Sequence, residues 1–334
     1  MKLHHLIPAA CLAALPMTAL AESDRAQAEE MIAAALQSQF GAILDFSGMS
    51  DLDALPPEIA DLENLVFLQI SGTAITDLSP LMGAASLQTL MINDTAITDI
   101  APLAGLPGLQ ALWISDTEIS DLSPIGRLPA LEVLQASSAG IEALDFLEGL
   151  KAVQELHLHH NAITDLGPLA GLTGLRELQL YSNPIAQIEA LAGLHNLEVL
   201  SLASSQVADI RPLAGLTGLR NLSLIDTPVS DIAPLAGLEA LERLTLMETQ
   251  VSDLGPLRGM TALEHLWINE TQVSDLSPLA GLHDLGVLRI DMTEVHDLTP
   301  LAGLQNLRAL TLSGTPVTDI SPVAGREGLR IEGF

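Results

Sequence analysis

The sequence predicts an α/β solenoid, one elongated stack of short strand-and-turn units in place of the two ordinary domains that 334 residues would suggest. Three observations predict it. A 22-residue motif recurs without interruption from Leu55 onward. Leucine returns at fixed places within every copy. The composition is 48% apolar but only 2% aromatic, with 19 prolines spread evenly, so leucine must fill the core almost alone.

The first 21 residues stand apart. Lys2, His4 and His5 precede an apolar run over residues 6–15, and Ala19-Leu20-Ala21 supplies the small-x-small pattern that a signal peptidase reads. Residues 1–21 are therefore expected to be a secretory signal cleaved after Ala21. Cys11 follows two alanines, as in a lipoprotein, but Pro8 occupies the place of the expected leucine and the apolar run continues past the cysteine. Cleavage would leave a chain with no cysteine, hence no disulfide, no thiolate nucleophile and no cysteine-ligated zinc. No later apolar stretch approaches the roughly 20 residues that span a bilayer, so the product is expected to be secreted or periplasmic.

Residues 22–54 are expected to form an N-terminal cap of a helix and a first strand. Asp24 with Gln27 resembles a capping box, and Ala28, Ile32, Leu36 and Phe40 follow at every fourth residue, an apolar stripe suited to plugging the open end of a stack.

Residues 55–318 hold twelve units of 22, which read D-[LI]-x-P-L-A-G-L-x-x-L-x-x-L-x-L-x-x-T-x-[VI]-x with Asp at position 1. The L-x-L segment predicts a short strand with positions 14 and 16 inward and positions 13, 15 and 17 outward, stacked in parallel on its neighbours at about 4.8 Å. Position 19, Thr in eight of the twelve units, suits a side-chain bond to the turn backbone. Asp at position 1 and Pro at position 4 suit the start of a short helical turn. Leucines at positions 5, 8 and 11 close the core from the outer side. Residues 319–334 form a truncated copy in which Arg326 stands for the leucine of position 8 and Glu332 for that of position 14. Such polar replacements suit a terminal face open to water.

Charge is one-sided: 42 acidic residues against 13 basic ones give a net charge of −29. That surface repels phosphate backbones and anionic lipid heads, which argues against nucleic acid and membrane-surface partners. A row of acids at position 18, Asp94, Asp116, Asp226, Glu248 and Glu270, reads as electrostatic steering of a ligand with basic patches or as plain solubility.

The repeat resembles the leucine-rich repeat family, and its D-[IL]-x-P-L-A-x-L form resembles the internalins and related bacterial secreted proteins. This resemblance covers residues 44–331. It implies a right-handed horseshoe with a parallel sheet on the concave face, 3₁₀ turns on the convex face and protein ligands in the hollow. The chain departs from the internalin pattern in having mostly Thr where Asn is usual, with Asn161 and Asn183 as exceptions.

Sorting the rarest residues by repeat position gives the candidate site. Trp113 and Trp267, the two tryptophans, both fall at position 15, and the lone tyrosine, Tyr181, falls at position 17. All three are outward positions beside core slots already filled by Leu or Ile, so they read as anchors of a ligand-binding face. Arg289 follows Trp267 at position 15, where a cation–π contact is expected. Arg243 and His265 share position 13, and Met247 lies at position 17 of the unit before Trp267. A second cluster puts Glu155, His157 and His159 on one face of one strand, with Glu177 and Tyr181 on the next. Zinc there is conceivable, but ligands along one straight strand diverge, so no metal and no cofactor is assigned. Glu155 and Glu177 have the spacing of a retaining glycosidase pair, yet an open sheet offers no water-excluding cleft. The sequence thus predicts a non-catalytic, protein- or peptide-binding scaffold. The alternatives are a glycan-binding module using the Trp and Tyr rings and, less favoured, a metal-dependent enzyme at His157 and His159.

Overall fold

A computed structural model describes residues 23–334; the expected signal sequence lies outside the described residues. Within them, fourteen strands form one sheet in strict chain order, every pairing parallel. They are β1 (Ala42–Asp45), β2 (Leu65–Gln69), β3 (Thr89–Met91), β4 (Ala111–Trp113), β5 (Val133–Gln135), β6 (Glu155–His157), β7 (Glu177–Gln179), β8 (Val199–Ser201), β9 (Asn221–Ser223), β10 (Arg243–Thr245), β11 (His265–Trp267), β12 (Val287–Arg289), β13 (Ala309–Thr311) and β14 (Arg330–Glu332). Short 3₁₀ turns alternate with them on the opposite side of the core. The strands stack with inward leucines in register, Leu244 on Leu266 on Leu288, each essentially inaccessible. Burying these leucines against both neighbours is what holds each three-residue strand in place, since no unit covers its own apolar face.

The recurrent polar residues are backbone ligands. In ten units the Asp at position 1 accepts the amide of position 3 at 2.7–2.9 Å, which starts the 3₁₀ turn. Pro at position 4 then falls within the first turn, where its missing N–H costs nothing. All eight position-19 threonines donate Oγ1 to the position-16 carbonyl at 2.7 Å. Asn161 and Asn183 reach further, each bonding carbonyls of its own unit and of the unit before. The predicted jobs of positions 1, 4 and 19 are thus the observed ones.

Position 18 has a role that the sequence reading missed. Its amide donates to the position-17 carbonyl of the next unit, as from Glu270 to Asp291 at 2.9 Å. Reaching that bond needs a left-handed backbone, and ten successive non-glycine residues from Asp94 to Met292 have φ of 51–57°, with Gly72 and Gly314 beyond each end. Asp tolerates this region better than most residues. At Asp94, Asp116 and Asp226 the rim carboxylate is therefore partly a backbone requirement.

Both ends differ from expectation. Helix α1 (Asp24–Leu36) is capped by Ser23, whose Oγ accepts the Ala26 amide, while Asp24 instead accepts the amide of Asp51. Ala28 and Ile32 are buried, but Leu36 is 40% and Phe40 82% exposed. A strict four-residue step drifts around a helix of 3.6 residues per turn, so the covered stripe runs instead through Ala28, Met31, Ile32 and Ala35. Phe40 lies past the helix end.

At the other end, Arg330, Ile331 and Glu332 pair with Ala309, Leu310 and Thr311. The last copy is one residue short there, so Ile331 takes the inward slot and Glu332 faces out, correcting the expectation that Glu332 replaces a core leucine. Arg326 does end the stack in polar fashion. Its guanidinium donates to the carbonyls of Leu301, Ala302 and Leu304 of the preceding turn at 2.5–2.8 Å, and to that of Pro322 at 3.2 Å.

Candidate ligand-binding face

Because β-strand side chains alternate, filling positions 14 and 16 with leucine or isoleucine forces positions 13, 15 and 17 onto the open face of the sheet. Stacking at a fixed 22-residue period then places equal positions side by side. Arg243, His265 and Val287 are neighbours in one row, and Thr245, Trp267 and Arg289 in the next. The Arg289 guanidinium lies over the Trp267 ring, 4.5 Å from its centroid, as the register predicts. Arg243 and Arg289 are exposed, Met247 and His265 half-buried. Burial and the adjacent Arg243 hold the His265 imidazole below its ordinary pKa, Glu264 opposing them.

Trp113 is a correction. It occupies the predicted outward position, but it is only 7% exposed and packs with Ala111, Val133 and Met91. Its small and apolar neighbours let the indole lie down on the sheet, so it forms a satellite apolar cluster and not a free-standing anchor.

The second cluster assembles across β6 and β7. Glu155 pairs with Glu177 and His157 with Gln179 in the ladder. His157 Nε2 approaches Glu177 Oε1 to 3.5 Å, and Gln179 donates to the same oxygen at 3.1 Å. The His159 ring stacks on Tyr181, with centroids 4.1 Å apart and planes 9° apart, and His160 meets both rings edge-on. Burial, then repulsion from Glu177, raises the Glu155 pKa. Burial, then the neighbouring His160 and His157, lowers that of His159. Burial alone raises that of the Tyr181 phenol.

Among the described residues, five buried side-chain polar atoms have no hydrogen-bond partner: His157 Nε2, His159 Nδ1, Thr245 Oγ1, Trp267 Nε1 and Asn269 Oδ1. All five lie at positions 15 and 17, and they fall into the two clusters just described. Buried polar groups are normally paired, and these five exceptions among the described residues concentrate on the open face of the sheet.

Comparison with known proteins places this architecture. A leucine rich repeat profile of two copies matches residues 85–127, 151–193 and 239–281. The crystal structure of an internalin from Listeria monocytogenes, InlF, superposes with a TM-score of 0.85 at 30% identity, covering 93% of this chain and 94% of that one. The chain belongs to the internalin-like leucine-rich repeat family. Internalin C2 of the same organism is 37% identical over 57% of this chain and 83% of its own, with a TM-score of 0.54. A plant peptide hormone receptor, RGFR1, solved in complex with RGF2, shares the fold at 16% identity and a TM-score of 0.65, covering 79% of this chain and 48% of the receptor. A search of curated proteins found no match.

For an internalin-like repeat the informative residues are the deviations on the open face. The sequence reading placed Trp267, Arg289, Arg243, His265, Met247 and the histidine cluster on this face from their repeat positions, and the strand register puts them there. It missed Thr245 and Asn269, which carry two of the three unpaired polar atoms beside the indole, and Gln179 and His160 at the second cluster. Thr and Asn are unremarkable on an outward strand, and only side-chain packing reveals that their polar atoms are covered.

Proposed function

We propose that this chain is a secreted or periplasmic, non-catalytic scaffold that binds a protein or peptide in the hollow of its sheet. The observation that carries this reading is the Trp267–Arg289 stack on the open face, with Arg243, His265 and Met247 around it. Thr245 Oγ1, Trp267 Nε1 and Asn269 Oδ1 are covered and unpaired in the free chain, so a peptide that displaces the side chains over them would supply the missing partners. Arg243 and Arg289 beside them suit carboxylates, and Met247 and the indole suit an apolar side chain. The patch is basic on a chain of net charge −29, so it selects an acidic stretch of ligand, while the rim carboxylates favour basic residues flanking it. A preformed sheet loses little entropy on association. Because Arg289 covers one face of Trp267, that face is closed to a sugar ring, which favours peptide over glycan.

The test is selection of a displayed random peptide library on the chain. Enriched peptides carrying Asp or Glu beside an apolar residue, which lose at least tenfold in affinity on Trp267→Ala and keep it on Ala280→Ser in a 3₁₀ turn, support the reading. Peptides indifferent to Trp267→Ala, or no enrichment, contradict it.

A further inference from the structure

We propose that Glu155, His157 and Glu177 form a binding site for one divalent transition-metal ion, of the zinc type, on the open face of β6 and β7. Each residue offers one ligand atom, and the three atoms lie within 4.8 Å of one another. Side chains along a single strand diverge. Here convergence comes across the ladder, because Glu177 of β7 reaches the His157 side chain of β6 from the neighbouring strand.

Two observations separate this cluster from ordinary surface acids. His157 Nε2 is buried and has no hydrogen-bond partner, though Glu177 Oε1 stands 3.5 Å away. That separation is close to the edge of a tetrahedron built on bonds of about 2.1 Å, roughly 3.4 Å, so little movement would bring both atoms onto one ion. The donor set of one imidazole and two carboxylates is one that zinc accepts, and Gln179 donates to the Glu177 oxygen that faces His157, which steadies that carboxylate. A bound cation would also offset the repulsion between Glu155 and Glu177, which face each other across adjacent strands. Three protein ligands leave a fourth position directed into the hollow, where water or a donor from the bound partner would complete the shell. The site lies four to five strands from Trp267, about 19–24 Å, and stands whether or not the Trp267 patch binds peptide.

Isothermal titration of zinc chloride into the chelator-stripped chain, with 1 mM calcium present to occupy plain carboxylates, tests this. One equivalent should bind at micromolar or tighter affinity. His157→Ala and Glu177→Gln should each weaken binding at least tenfold, and His283→Ala on a 3₁₀-side turn should leave it unchanged. Circular dichroism confirms that the variants are folded. Absence of a one-equivalent isotherm, or an isotherm unaffected by His157→Ala, overturns the site.

Discussion

The Arg289 guanidinium sits 4.5 Å from the centroid of the Trp267 ring, on the strand that follows it in the ladder. Arg289 is exposed and Trp267 half-buried on the open face, and together with Arg243 and His265 they form a basic, aromatic island on an acidic protein. An exposed contact of this kind contributes about 0.5–1 kcal/mol, so its value to the fold is small.

The two tryptophans should therefore behave differently although they share a repeat position. Trp113→Ala removes a side chain that is 7% exposed and should cost about 3–5 kcal/mol by cavity formation. Trp267→Ala should cost about 1 kcal/mol or less. Urea denaturation of the two variants checks this, and equal losses would place both rings in the core.

The left-handed backbone at Glu270, φ 56°, predicts that side chains branched at Cβ are excluded there. Glu270→Val should lower stability by about 1–2 kcal/mol. Glu270→Gly should be neutral or slightly stabilising, since glycine adopts this region freely. The urea midpoint should fall for Glu270→Val and hold or rise for Glu270→Gly, and a fall for both would contradict this.

His265 should titrate below the ordinary 6.5, because burial and then Arg243 disfavour its charged form. With the folded pKa depressed, the unfolded chain binds the extra proton, so stability from this group is complete above pH 6.5 and declines as pH falls toward the folded value. Arg243→Ala should raise the His265 pKa in an NMR titration without restoring it fully, as burial is the larger cause. An unchanged value would mean that Arg243 does not act on the ring.

Arg326 closes the carbonyls of the last complete turn. Arg326→Ala should leave those acceptors unmet and fray the end of the stack, which amide exchange would show as lost protection at Leu310 and Leu312 with the central strands unaffected. Loss of protection throughout the sheet would mean that the cap governs the whole repeat array.

Much of this was legible in the sequence because the repeat is strict. A leucine at position 14 decides which way Trp267 points, and a 22-residue period decides that Arg289 is its neighbour. Legibility failed where local geometry competes with periodicity. Nothing in the strand's own repeat position distinguishes Trp113 from Trp267, because the burial of Trp113 depends on Ala111 of the same strand and on Val133 and Met91 of the strands either side. The residue lost before Ile331 shifts the inward slot, and a fixed count then misplaces Glu332. Glu155, His157 and Glu177 converge through rotamers, which spacing along one strand does not show.

The most direct measurement is acrylamide quenching of Trp267 fluorescence in a Trp113→Phe chain, with and without a library-selected acidic peptide. A peptide seated in the hollow covers the indole, so quenching should fall severalfold on saturation, and Arg289→Ala should weaken the peptide concentration dependence. Unchanged quenching at saturating peptide would show that the ligand binds elsewhere, and the open face around Trp267 would then not be the binding surface.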